Sequence, residues 1–593
     1  MNKQPYNKTL TAKTGKDILN LLGAKDLQSR KLNGLPPVGD TQTALYNIWK
    51  SLLGQESFSA NEDFFQIGGN SLKAVQLASR IANQFSVDIE LTDIFLHPTI
   101  STLAAFIEGH QKKSHISSIE IQPRPENIPL SFSQERLWFI HQLVGSIQYN
   151  LPIVLRLKGA LNKQALANAL ETIVDRHEVL RTIFLEKDGI PYQQIKNKKQ
   201  WQLSITSDSR LKDENALQQY IQHLIQQPFD LSKDDMLRAN LIELNNQEYV
   251  LIATLHHIAA DGWSMAVFVK EIVELYTAYT QNRQPQLNEL PIQYTDYSIW
   301  QRNFLQGEEL EKKLSYWKNK LKSSSPLDLP TDYPRSAKQS TNGAIISFNI
   351  ENDLFEAIHQ FSLQQGTTLF MTLLAAYKVL LHRYSNQNDI CVGTPIANRN
   401  QQELEGLVGF FVNTIVLRSE VHAEAPFTEL LQQVKQTTLE AYEYGETPFE
   451  KVVEAVVKVR DMSRSPLFQV MFALQNTPEV PQLQDLILLR EKYEHETSLF
   501  DITFNITETA DSLQGSLQYA TDLYKRDTIE RMISHFQQLL SSIVSAPEQK
   551  IGRLSLLSTE EQELLLQRFN ATAAAYPRHQ TIVTLFEQQA QRS

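Results

Sequence analysis

A short apolar run at residues 249–255, YVLIATL, ends at two adjacent histidines and constrains the fold more than any other stretch of the chain. The run is too short for a helix and rich in β-forming residues, so it predicts a buried strand. An Ile-Ala-Ala-Asp-Gly turn follows it, and beyond the turn apolar residues recur at helical spacing from Met265 to Tyr276. The sequence therefore predicts a strand, a tight turn and an amphipathic helix.

The adjacent histidines cannot share a role if the strand continues through them. Successive side chains of a strand point to opposite faces, so His256 and His257 cannot both face one metal ion. One imidazole is expected to face a cleft and the other the interior of the fold. Asp261 lies at the turn, where it can cap the helix or bind a nearby cation. The plain alternative is two satisfied histidines at a strand end and an ordinary Asp-Gly turn.

Length, charge and cysteine content restrict the class of protein. A chain of 593 residues is too long for one domain. The formal net charge of -11 argues against nucleic-acid binding as its main role. The single cysteine, Cys391, excludes an internal disulfide framework and a cysteine-based zinc site. The N-terminal stretch lacks the apolar core of a signal peptide, and no run of about 18 apolar residues occurs. We expect a cytoplasmic protein without membrane contact.

The hydrophobic pattern divides the chain into a small helical unit and a large mixed unit. Gly and Pro cluster at residues 33–40, helical patterns run to about residue 111, and a proline-bearing linker follows. From about residue 130 to 557, β-rich runs alternate with long amphipathic helices, which predicts an α+β unit large enough for two lobes. No internal repeat occurs at solenoid periods.

The stretch DFFQIGGNSLKAVQLASRI, residues 63–81, places a serine at the start of an amphipathic helix. Gly68 and Gly69 permit backbone conformations that other residues avoid. Ser71 is either a capping or first-turn serine, or an attachment point for a phosphate group at the positive end of the helix dipole. No histidine lies nearby in the sequence and the pattern is not G-x-S-x-G, so an attachment site fits better than a nucleophile.

This stretch, with DIFLHPTISTLAAFI downstream, resembles a peptidyl carrier domain, a four-helix unit whose serine carries 4'-phosphopantetheine. The resemblance implies that Ser71 carries this cofactor and that a phosphopantetheinyl transferase attaches it.

The main body resembles the condensation domain of nonribosomal peptide synthetases over residues 129–557. Seven motifs in the family's order carry the resemblance: SFSQERLWFIHQL, RHEVLRTIF, LHHIAADGWS, YTDYSIWQR, VGFFVNTIVLR, GETPFEKVV and RDMSRSPLFQV. It implies a two-lobed pseudo-dimer similar to chloramphenicol acetyltransferase, with the active site in a tunnel between the lobes. In that family His257 faces the tunnel as the catalytic residue, and His256, Asp261 and Gly262 support the loop.

The resemblance also implies a buried arginine partner for Asp261. Arg181, in RHEVLRTIF, is the expected partner, and Arg176 is the alternative. Removing one member of a buried pair costs several kcal/mol, so its loss would look catalytic while being structural.

The resemblance sets the expected domain boundaries and partners. The divisions are a leader or docking segment at 1–37, a carrier domain at 38–112, a linker at 113–128, condensation lobes at 129–300 and 301–557, and at 558–593 a linker with the start of an adenylation domain. Expected partners are downstream adenylation and carrier domains and an upstream synthetase subunit. We expect a monomer without metal.

The implied reaction is amide formation. The donor group, held as a thioester on the arm of Ser71, is transferred to the amine of an acceptor aminoacyl thioester on a downstream carrier. His257 acts either as a general base or as a hydrogen-bonding group that orients the amine. The carrier motif is GGNSL rather than the GGDS associated with epimerase partners, which favours an L-configured donor.

Three related functions remain as alternatives. An epimerase of the same fold would show DxxSW after the histidines, whereas this chain has DGWSM. A heterocyclising relative would replace the histidines by aspartate. A non-catalytic platform that only recruits a partner enzyme would show degenerate histidines, and here the motif is intact.

Overall fold

The computed structural model describes residues 35–109, 118–245, 247–459, 461–476, 486–491, 493, 497–509, 512–575 and 578–593. The leader predicted at residues 1–37 lies almost entirely outside these ranges, as does part of the linker predicted at 113–128. Within the described ranges, no helix combines the length and apolarity needed to cross a membrane.

The first unit is a helical bundle built around aromatic side chains. Its helices are α1 (Gly39–Leu53), α2 (Ser71–Phe85), α3 (Leu91–Leu96) and α4 (Ile100–Gly109). Trp49 and Phe64 are fully buried, with ring centroids 4.9 Å apart in an edge-to-face arrangement. The predicted small four-helix unit is confirmed.

Helix α2 begins where its sequence provides a capping side chain. Asn70 is the N-cap, and its side-chain oxygen accepts a hydrogen bond from the backbone N–H of Lys73 at 3.0 Å. The apolar positions Ala74, Leu77 and Ile81 recur at helical spacing and are fully buried in the bundle. Burying this stripe and satisfying the first-turn amide together stabilise the helix that carries Ser71.

The second unit begins with a lobe that contains a five-stranded sheet and a small three-stranded sheet. Its elements are β1 (Ile128–Pro129), α5 (Phe132–Val144), β2 (Asn150–Gly159), α6 (Lys163–Arg176), β3 (Thr182–Lys187), β4 (Ile190–Ile195), β5 (Ser204–Thr206), α7 (Glu214–Ile225), β6 (Leu237–Asn245), β7 (Glu248–His256), α8 (Gly262–Thr280) and α9 (Tyr294–Phe304). The predicted strand, turn and helix around the two histidines are β7, residues 257–261 and α8.

The second lobe is built on a six-stranded sheet. Its elements are α10 (Gly307–Lys320), β8 (Gly343–Ile350), α11 (Asn352–Gln364), α12 (Leu369–Ser385), β9 (Asp389–Ile396), β10 (Asn413–Glu420), α13 (Phe427–Glu443), α14 (Phe449–Val456), β11 (Val470–Asn476), β12 (Leu486–Arg490), β13 (Ile502–Glu508), β14 (Leu513–Ala520), α15 (Arg526–Ser545) and α16 (Thr559–Glu563). Helix α17 (Ile582–Arg592) follows in sequence and has no buried residue. The sheet order is β10-β9-β11-β13-β14-β8. The predicted α+β class with two lobes is confirmed.

The division of the chain at residues 300 and 301 stays a prediction, and one strand is exchanged across it. That boundary lies inside α9, and strand β12, well beyond it in sequence, joins the sheet of the first lobe in the order β12-β2-β7-β6-β5. Leu486 pairs with Gly159 and Arg490 with Leu155 in antiparallel register. The hydrogen-bonding edge of β2 takes a strand from the other lobe, a pairing that local sequence pattern does not reveal.

A second connection also crosses between the lobes. We call residues 397–412, which join β9 to β10, the crossing segment. Its apolar side chains pack into the hydrophobic core of the first lobe, among them Leu404, Leu407, Phe410 and Phe411. The crossing segment therefore belongs in sequence to the second lobe and in packing to the first.

Candidate active site and carrier attachment site

His256 is the last residue of β7 and is fully buried. Its Nδ1 accepts a hydrogen bond from the backbone N–H of Ile258 at 3.1 Å, so the proton lies on Nε2, which donates to Ser146 Oγ at 2.9 Å. Burial lowers the pKa of His256 to about 3. The ring is neutral and fully bonded, which fits the predicted supporting role.

His257 lies in different surroundings. Its backbone N–H donates to the carbonyl of Tyr149 at 2.9 Å, and its ring packs edge-on against Phe410 with centroids 4.8 Å apart. The side chain keeps partial exposure, and its Nδ1 has no hydrogen-bond partner among the described residues. Burial lowers the pKa of the imidazole, while the charge of Asp261 opposes that shift. The result is a neutral ring with an unused nitrogen.

The two imidazoles therefore lie in different surroundings, but β7 ends at His256 and His257 lies in the turn, so alternation along a continuous strand does not account for the difference. They share no hydrogen-bond partner, and in the described part of the chain no three His, Cys, Asp or Glu side chains converge as a metal site. The catalytic role of His257 stays a prediction.

Asp261 caps helix α8 and forms a buried ion pair. Its Oδ1 accepts from the backbone N–H of Ser264 at 2.8 Å, and its Oδ2 accepts from the backbone N–H of Phe411 at 3.0 Å. Arg399 Nη2 lies 3.1 Å from Oδ1, and both side chains are only 1% exposed. A carboxylate buried this deeply requires such a partner, because an isolated buried charge is costly.

The predicted partners of Asp261 were wrong. Arg181 turns away, toward the backbone carbonyl of Lys196 and the carboxylate of Glu178, and Arg176 pairs with Glu271 at 3.0 Å. Both guanidinium groups have nearer acceptors on their own side of the lobe. Arg399, the actual partner, comes from the crossing segment 138 residues downstream. Its position three residues after the end of β9 gives no sequence signal that links it to Asp261.

Gly262, the first residue of α8, was predicted to support the loop. A Cβ atom built at this position meets nothing within 4 Å. Packing thus supplies no reason for glycine here, and the supporting role of Gly262 stays a prediction.

The crossing segment is held against the histidine loop by several hydrogen bonds. Arg399 donates to the carbonyls of Leu404 and Leu407, and Tyr294 Oη donates to the carbonyl of Phe410 at 2.7 Å. At Gly409 a Cβ would lie 2.2 Å from the Tyr294 ring, so only glycine fits this close approach. These contacts place Phe410 beside His257, a neighbour that sequence analysis did not identify.

Ser71 occupies the first turn of α2, a position that both sequence interpretations allow. The cap is Asn70, so the Ser71 hydroxyl is not needed for capping. Gly68 has φ +96°, and a Cβ at Gly69 would lie 2.3 Å from the Phe64 ring, so both glycines are required. The hydroxyl donates to Thr368 Oγ1 of the second lobe at 3.3 Å. A serine hydroxyl free of capping, at a helix start, fits covalent attachment of a phosphodiester.

Family models match both units of the chain. The model described as Condensation domain matches residues 125–566, and the one described as Phosphopantetheine attachment site matches residues 43–107.

Curated and solved proteins agree with these models. Gramicidin S synthase 2 from Aneurinibacillus migulanus is 38% identical over 561 residues, which cover 94% of this chain. The chain spans 12% of the length of that relative. The complex of the X-domain and OxyB from teicoplanin biosynthesis matches at TM-score 0.69 with 28% identity, covering 75% of this chain and 99% of that one.

A third match covers a larger share of the chain. The four-domain nonribosomal peptide synthetase AB3403, in its holo form bound to AMP and glycine, matches at TM-score 0.71 with 24% identity, over 81% of this chain and 37% of that one, which supports the fold alone. Because the condensation model covers well over half of the sequence, the chain belongs to the condensation domain family of nonribosomal peptide synthetases, and a carrier domain with a phosphopantetheine attachment site precedes the condensation domain.

Proposed function

We propose that this chain forms an amide bond between two carrier-bound substrates. The donor acyl or peptidyl group is held as a thioester on the pantetheine arm attached to Ser71, and the acceptor is an aminoacyl thioester on a downstream carrier. The observation that carries the proposal is the contrast between the adjacent histidines. His256 is buried with both ring nitrogens hydrogen-bonded, whereas His257 keeps partial exposure and its Nδ1, a buried atom, has no hydrogen-bond partner among the described residues.

The reaction needs few groups from the protein. The acceptor nitrogen forms a bond to the donor carbonyl carbon, the carbon–sulfur bond breaks, and the proton released by the nitrogen neutralises the departing thiolate. His257 either takes this proton on its way or orients the amine by a hydrogen bond. A neutral imidazole suits both roles, and the lowered pKa of His257 keeps it neutral at pH 7. A positioned general base contributes about 10² to 10⁴-fold.

Holding the two substrates in position next to each other supplies the larger part of the rate acceleration. Two substrates tethered at a common site react almost as one molecule, which is worth up to about 7 to 11 kcal/mol in well-oriented systems. The crossing segment serves this purpose, because Arg399 and Asp261 hold its backbone and Phe410 limits the motion of the His257 ring.

The cofactor on the donor side is 4'-phosphopantetheine, which when bound supplies the thiol that carries the acyl group. Ser71 would hold it, in the first turn of α2 with the cap provided by Asn70. Its attachment requires a phosphopantetheinyl transferase as a partner. Further proposed partners are downstream adenylation and carrier domains and an upstream synthetase subunit that contacts residues 1–37, and the chain acts as a monomer.

The test is peptide formation by the intact chain. The carrier is loaded with a donor, an acceptor thioester is supplied, and the product is followed by mass spectrometry in the parent and in His257→Ala. We expect product from the parent only. Product formation by His257→Ala at the parental rate would contradict the catalytic assignment.

Donor configuration is tested with the same assay. We propose an L-configured donor, or one without a stereocentre, because the carrier motif is GGNSL. Offered both enantiomers, the chain is expected to condense the L form. A clear preference for the D form would overturn this proposal.

A second candidate is a non-catalytic platform. It is favoured by the likeness to the teicoplanin X-domain, which has been solved in complex with OxyB. Any peptide formed by the parent chain excludes it as the sole function.

A further inference from the structure

Helix α2 of the carrier presents two polar side chains to a single carboxylate of the condensation domain. Arg80 Nη2 lies 2.8 Å from Glu405 Oε2 and also donates to Oε1 at 3.1 Å. Gln76, one helical turn earlier, donates to the same Oε1 at 3.3 Å. The side chains of Arg80 and Glu405 are 15% and 24% exposed, so solvent screens this pair less than an ordinary surface ion pair.

The carboxylate is presented by a rigid backbone. Glu405 lies in the crossing segment, and its carbonyl accepts a hydrogen bond from Trp263 Nε1 at 3.0 Å. Arg399 binds the carbonyls of Leu404 and Leu407, on either side of it. A carboxylate held this way favours one position of the carrier, because little side-chain and backbone freedom is lost on contact.

A second contact lies on the neighbouring carrier helix. Lys435 Nζ, from α13 of the second lobe, lies 5.4 Å from the centroid of the Phe95 ring in α3. At exposed sites such a cation–π contact is weak. Among the described residues, Arg80–Glu405 is the one ion pair between the two units.

The docked position buries the attachment serine. Ser71 is 5% exposed, and its hydroxyl lies 3.3 Å from Thr368 Oγ1 at the start of α12. A transferase that attaches the arm must bring its own active site to this hydroxyl. Attachment at Ser71 thus requires the carrier to leave the position in which α2 contacts Glu405.

We propose that the Arg80–Glu405 ion pair is a latch that sets the balance between a docked carrier, positioned to deliver the donor, and a released carrier, open to the phosphopantetheinyl transferase. This inference rests on the proposed function, since it assumes that Ser71 carries the arm and delivers the donor. Breaking the latch has opposite effects on the two processes: arm attachment becomes faster and condensation slower.

The experiment uses the intact chain with Arg80→Glu, Glu405→Lys and the combined charge swap. The rate of arm attachment is measured by intact mass with a phosphopantetheinyl transferase and coenzyme A, and condensation is measured separately on fully loaded protein. Each single variant is expected to raise the attachment rate roughly fivefold and lower condensation by a similar factor, because like charges then face each other. The swap is expected to restore both rates toward those of the parent.

Lys50→Glu is the matched control, because Lys50 forms an ion pair with Glu56 inside the carrier and that glutamate is 90% exposed. This substitution changes the net charge of the carrier by the same amount as Arg80→Glu and is expected to leave the attachment rate unchanged. An unchanged attachment rate in both single variants, or a swap that fails to restore it, would overturn the latch. If the attachment rates respond as expected but the parent makes no peptide, the latch stands and the proposed condensation fails.

Discussion

The buried pair of Asp261 and Arg399 allows a sharp test of the structure against the sequence-based alternative. Asp261→Asn keeps the cap, because an asparagine oxygen also accepts from the Ser264 amide, but it removes the charge. Arg399→Met removes the guanidinium and keeps an apolar side chain of similar length. Arg181→Met is the control, since Arg181 was the partner expected from sequence and is also buried.

The expected magnitude follows from burial and distance. Unit charges about 4 Å apart interact by about 4 kcal/mol at an effective dielectric constant of about 20. In Asp261→Asn, Arg399 still donates hydrogen bonds to the carbonyls of Leu404 and Leu407, so the loss of unfolding free energy in this variant is smaller than for a fully unpaired arginine. We therefore expect a coupling energy of about 2 to 3 kcal/mol between Asp261→Asn and Arg399→Met.

The measurement is a double-mutant cycle from urea unfolding of the intact chain, followed through the transition that includes the first lobe. Asp261→Asn and Arg181→Met are expected to be additive within about 0.5 kcal/mol. Coupling of Asp261 to Arg181 with none to Arg399 would refute the assignment of the pair, and with it the proposed role of the crossing segment.

Three further predictions concern single groups. His257→Ala is expected to lose peptide formation while its melting temperature stays within a few degrees of the parent. His256→Ala leaves the buried backbone amide of Ile258 without its acceptor and should lose about 1 to 3 kcal/mol of stability. A stable, inactive His256→Ala beside an unstable His257→Ala would reverse the two assignments. Intact mass after treatment with a transferase and coenzyme A should show one added arm in the parent and none in Ser71→Ala, so a modified Ser71→Ala protein would exclude this attachment site. Burial lowers the pKa of Lys378 from its ordinary 10.5 to about 7, so between these values the unfolded chain binds more protons than the folded chain and stability should rise with pH. Urea unfolding at pH 7 and 9 should show this rise in the parent and not in Lys378→Met. An equal rise in both proteins would contradict the prediction.

Features that depend on local pattern were predictable from the sequence. The strand, turn and helix around the histidines follow from a short apolar run, a turn and a helical stripe. Alternation along one strand did not decide the surroundings of the two histidines, because β7 ends at His256 and His257 already lies in the turn. The two-unit organisation and the α+β class follow from changes in hydrophobic period along the chain, and the ordered motifs pointed to the family.

Features that depend on contacts between distant segments were decided only by the tertiary structure. Arg399 replaces Arg181 as the partner of Asp261 because the crossing segment returns to the first lobe, and β12 joins the first sheet because the edge of β2 accepts it. The contact of Ser71 with Thr368 joins residues 297 positions apart. Hydrophobic periodicity reports which face of an element is buried but not which element covers it, so pairings of this kind become visible only when the chain is folded.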